Sequence, residues 1–103
     1  MEPQKEETPW RPRRLLTRNE LVTRLRCIRI VASEDVPPGR NLEYYRFFGF
    51  IEGLEYMHLF TKAQRTALVQ LALRAAGTTC EPFPEGEELN NAVADIMAGR
   101  LAD

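Results

Sequence analysis

The residues able to do acid–base, nucleophilic or metal chemistry are few and lie far apart in the sequence. His58 is the one histidine, and Cys27 and Cys80 are the two cysteines. A single imidazole cannot complete a nucleophile–base–acid set, and the cysteine spacing matches no metal-ligand motif. Glu87 and Glu88 are adjacent in the first turn of a predicted helix, where carboxylates stabilise the helix dipole. We therefore expect no enzyme activity, no catalytic residues, no cofactor and no metal site.

The elements that position these residues are predicted to form one small domain. The chain has 103 residues, of which 44% are hydrophobic and 28% charged, the balance of a globular protein. Its net charge of −1 argues against binding nucleic acid by bulk charge. The sequence contains no secretory signal and no apolar run long enough for a membrane helix, so we expect a cytoplasmic protein with free thiols.

Charge and proline divide the chain into an arm and a domain. Residues 1–16 contain three prolines and no apolar period, which predicts a flexible basic arm that is disordered. Residues 17–103 are predicted to form a single helical domain. Seven arginines and one glutamate lie between Thr8 and Ile30, whereas six acidic residues and one arginine lie between Glu81 and Asp103. Such a dipolar distribution is compatible with a docking module and also with two solvated faces.

Capping motifs and breakers predict an all-α fold, a small bundle of three main helices plus a short C-terminal helix. Thr17 with Glu20 forms a capping box, and so does Thr61 with Gln64. Gly77 is predicted to end the third helix. The segment Arg24 to Ile30 alternates as a strand would, but the preceding capping box favours a helix. The predicted helices cover residues 17–32, 41–59, 61–77 and 86–98.

Seven of the nine aromatic residues lie in or just after the second predicted helix, between Tyr44 and Phe60. On a helical wheel its apolar arc spans about 180°, wider than the roughly 100° stripe of an ordinary surface helix. The opposite arc holds two glycines one turn apart and two tyrosines. Either the helix is buried nearly all round as the centre of the domain, or part of its surface is covered by another chain. We favour the second interpretation, because aromatic residues are enriched in the cores of protein interfaces.

The two arcs give two sets of candidate site residues. The partner-binding set on the apolar arc comprises Tyr44, Phe47, Phe48, Ile51 and Leu54. The self-association set on the opposite arc comprises Tyr45, Gly49, Gly53 and Tyr56, where a symmetry-related copy would form a homodimer. Phe47→Ala and Ile51→Ala are then expected to abolish partner binding while the helical circular dichroism spectrum survives.

The rival hypothesis is a small DNA-binding protein of the helix-turn-helix kind, with Thr61–Ala75 as recognition helix. Its first turns offer polar side chains for base edges, and the arginines of the N-terminal arm could contact phosphates. The apolar turn before Thr61 and the slightly acidic chain argue against this hypothesis, so we expect no nucleic-acid partner. A phage or accessory adaptor is a further alternative.

The aromatic run from Asn41 to Met57, followed by the helix that begins at Thr61, resembles small helical proteins of high-GC proteobacteria. In size, helix content and character the segment 17–98 is similar to QslA-like quorum-sensing antiactivators. The resemblance implies an all-helical cytoplasmic homodimer that binds the ligand-binding domain of LasR or a similar LuxR-type transcription factor. It would block dimerisation and DNA binding of that factor. No site residue is carried over from the family.

Overall fold

Four helices form the part of the chain that the structure describes. A computed structural model describes the backbone of residues 2–100 and the side chains of residues 17–100. The helices are α1 (Glu2–Ala32), α2 (Leu42–Tyr56), α3 (Lys62–Ala76) and α4 (Glu87–Met97), with a short 3-10 helix at Pro38–Arg40. No strand occurs within residues 2–100. The prediction of three main helices and a short fourth one is therefore confirmed.

The N-terminal boundary of α1 differs from its prediction. α1 includes Thr17 in its interior instead of beginning there. The Glu20 carboxylate, expected to complete a capping box, forms an ion pair of 2.8 Å with Arg24 one turn later. A capping-box sequence is compatible with a helix interior whenever the preceding residues also remain helical. The flexible basic arm expected at residues 1–16 stays a prediction, because the structure describes no side chain of that segment.

The remaining helix ends follow the local signals closely. The Asn41 side chain accepts a hydrogen bond from the Tyr44 backbone N–H and caps α2. The Thr61 and Gln64 side chains form both halves of the predicted capping box on α3, and Gly77 ends that helix with φ of 81°. α2 ends at Tyr56, two to three residues earlier than predicted. The two prolines and the glycine after α1 form a turn and the 3-10 helix, as expected.

α1 is the helix around which the domain is built. It packs against α2, α3 and α4, so its inner face is covered from three directions. Each helix contributes fully buried aliphatic side chains to one continuous core: Leu21, Leu25, Ile28, Ile51, Leu68, Leu89 and Val93. Alanines on α3 (Ala72, Ala75 and Ala76) are also buried and allow close helix packing. The core therefore draws on one face of α2 and leaves its opposite face outside.

Candidate functional site

The apolar arc of α2 faces the core. Phe47 and Ile51 are 1% and 0% exposed, and Leu54 is also buried. The prediction that these three residues form an accessible partner-binding surface is therefore wrong, because α1 and α3 cover them. Tyr44 and Phe48, the other two members of that set, are half-buried, and Tyr44 packs against the core. Their rings pack against each other with centroids 6.4 Å apart.

The opposite side of α2 is exposed in the part of the chain whose side chains the structure describes. Leu42, Tyr45 and Tyr56 are 64%, 53% and 84% exposed, and Gly49 and Gly53 between them are exposed as well. These five residues, which we call the α2 face, follow each other at spacings of three or four and form one stripe along the helix. The structure thus brings together all four residues of the predicted self-association set.

No contact among the described residues explains the two glycines of the α2 face. A Cβ atom placed on Gly49 or Gly53 would meet nothing within 4 Å. Neither glycine has the positive φ that would require a residue without a side chain. Glycine in a helix interior costs about 0.8–1.0 kcal/mol relative to alanine. Within the described residues, no contact offsets this cost.

Charged side chains line the C-terminal half of the α2 face. The Arg65 guanidinium lies 3.4 Å from a Glu52 oxygen and 3.2 Å from a Glu55 oxygen, which ties α3 to α2. The same guanidinium carbon lies 5.3 Å above the centre of the Phe48 ring. Gly49, Gly53 and these charged groups line one shallow depression that is open to solvent. A shallow depression without an enclosed cavity is suited to a protein surface rather than to a small molecule.

Ion pairing also occurs at the N-terminal half of the face. Arg46 pairs with Glu43 at 2.9 Å, and its side chain is 65% exposed. The Tyr45 hydroxyl donates to the Gly39 carbonyl oxygen at 3.5 Å, and the Tyr45 ring meets the Tyr44 ring edge-on at 5.4 Å. These contacts restrict the Tyr45 ring, so less side-chain entropy is lost when a partner covers it.

The apolar surface continues past the end of α2. Met57 and Leu59 are 59% and 46% exposed in the turn before α3. Neither Leu42 nor Leu59 is among the surface residues that the sequence predicts. A detectable signal existed for Leu42, because it lies three residues before Tyr45 on the same stripe.

The α3 helix offers little to DNA. The Gln64 side chain is buried, and Arg65 is held by two glutamates, so neither is free to read base edges. Thr66 and Gln70 are exposed, but they line a groove that also contains the carboxylates of Glu81 and Asp95. These carboxylates pair with Arg74 and Arg100, which line the same groove, so the groove offers no net positive charge to attract phosphates. The geometry therefore gives no support to the helix-turn-helix hypothesis.

Groups with reactive chemistry are dispersed. Within the described residues, no three His, Cys, Asp or Glu side chains lie together as a metal site would require. Cys27 is half-buried and Cys80 is exposed, both as free thiols. His58 is exposed in the turn after α2. No helix within the described residues combines the length and apolar character needed to cross a membrane.

Comparisons with known proteins add no constraint to this geometry. Protein-family models, characterised proteins and solved structures all give no match to the chain.

Proposed function

We propose that the chain is a small regulatory protein without enzymatic activity that acts in the cytoplasm by binding another protein through the α2 face. The observation that carries the proposal is the exposure of two tyrosines and two helix-interior glycines on one stripe. Tyrosine is among the residues that contribute most to binding energy when an interface covers it.

The chemistry of the face favours a helix or helix pair as the bound element. Gly49 and Gly53 form a notch in the middle of the stripe, because no side chain stands above the helix backbone there. Tyr45 lies before the notch and Tyr56 after it. A partner helix that enters the notch would contact both rings at once. This is the helix-in-groove mode of binding, in which the partner supplies the helix and the α2 face supplies the groove.

For the partner, we propose the ligand-binding domain of LasR or a similar LuxR-type quorum-sensing transcription factor. The support is the resemblance of the segment 17–98 to the QslA-like antiactivators. Such a factor needs two subunits to grip both half-sites of its operator. A protein that covers the dimerisation surface of the factor prevents its two subunits from pairing. The factor then loses the DNA affinity that depends on binding both half-sites.

The test is binding of the purified chain to the autoinducer-bound ligand-binding domain of LasR, followed by size-exclusion chromatography with light scattering. We expect a stable complex with the native chain. Tyr45→Ala and Tyr56→Ala are expected to weaken it about tenfold or more each, as for the loss of interface tyrosines elsewhere. Ile30→Ala is the matched control, because Ile30 is an apolar residue of α1 that is 58% exposed and lies off the face.

Two results would overturn parts of the proposal separately. If both tyrosine variants bind as tightly as the Ile30 variant, the α2 face is not the binding surface. If the native chain forms no complex with the LasR domain at protein concentrations up to about 1 mM, LasR is not the partner. Circular dichroism of every variant shows whether the fold is intact.

A further inference from the structure

We draw no further inference here: the strongest candidate, the open groove between α3 and α4 that is lined by Ala67, Leu71, Ala92 and Ile96 and bordered by the ion pairs Arg74–Glu81 and Arg100–Asp95, carries nothing, because its charges are already paired within the chain and nothing in the structure shows what covers it.

Discussion

The side-chain amide nitrogen of Gln64, in the first turn of α3, donates to the backbone carbonyl oxygen of Ile96, near the end of α4, at 2.8 Å. It also donates to the Met97 carbonyl at 3.2 Å, while the Gln64 amide oxygen accepts from the Thr61 backbone N–H. One buried amide thus completes the start of one helix and satisfies carbonyls at the end of another. Asn41 does the same at the start of α2, where it donates to the Ile28 carbonyl at 3.1 Å.

Gln64→Ala is expected to lower the free energy of unfolding by about 1–3 kcal/mol. The substitution removes half of the capping box and both bonds to α4; the Ile96 carbonyl keeps the Gly99 N–H as donor, whereas the Met97 carbonyl loses its donor. Urea unfolding followed by circular dichroism measures the change. Gln70→Ala, at an exposed site on the same helix, should stay within about 0.5 kcal/mol of the native value. Equal effects at the two positions would show that the Gln64 hydrogen bonds contribute nothing.

The hydrogen bonds of Gln64 show which contacts can be predicted from the sequence and which cannot. The bond between Thr61 and Gln64 is local, so the spacing alone predicts it correctly. The second role of Gln64, toward Ile96 on α4, depends on how helices that are distant in sequence dock. The same motif at Thr17 misled the prediction, because whether the residues before a capping box continue the helix is not encoded in the box.

The wheel of α2 shows the same limit for the candidate site. It separates the two faces correctly, since Phe47 and Ile51 lie on one and Tyr45 and Tyr56 on the other. Periodicity identifies an apolar face but does not say whether the same chain covers it. The choice between core and interface depended on α1 and α3, whose packing brings the more hydrophobic face inside.

Phe47→Ala is expected to destabilise the fold by about 3–5 kcal/mol, and Ile51→Ala by about 2–5 kcal/mol. Both side chains are fully buried, so truncation leaves a cavity among α1, α2 and α3. Thermal unfolding by circular dichroism measures the loss against Tyr45→Ala, whose side chain is 53% exposed and should change little. A Phe47→Ala protein with native stability would contradict the placement of this residue in the core.

Gly49→Ala is expected to raise the stability of the monomer by about 0.5–1 kcal/mol, because alanine restricts the unfolded chain and favours helix. The new methyl group has open space around it. Urea unfolding measures the change at low protein concentration, where association between chains does not contribute. Gln70→Gly on α3 is the reverse control and should lower stability by a similar amount. A destabilised Gly49→Ala monomer would mean that the glycine is required within the chain after all.

His58→Gly is expected to raise the free energy of unfolding by up to about 1 kcal/mol. The chain after α2 closes a Schellman motif, in which the Leu59 N–H donates to the Leu54 carbonyl at 2.9 Å and the His58 N–H to the Glu55 carbonyl at 2.9 Å. This motif requires a left-handed residue, and His58 occupies it with φ of 63°. α3 and α4 end in the same way, but with Gly77 and Gly99 at that position.

The difference between histidine and glycine here is the steric cost of a Cβ atom in the left-handed region, about 1–2 kcal/mol. Part of this gain is offset because glycine increases the entropy of the unfolded chain. Gly77→Ala makes the opposite exchange at the end of α3 and should lower stability by about 1 kcal/mol, measured by the same urea titration. A His58→Gly variant less stable than the native chain would show that the imidazole makes a contact worth more than the strain.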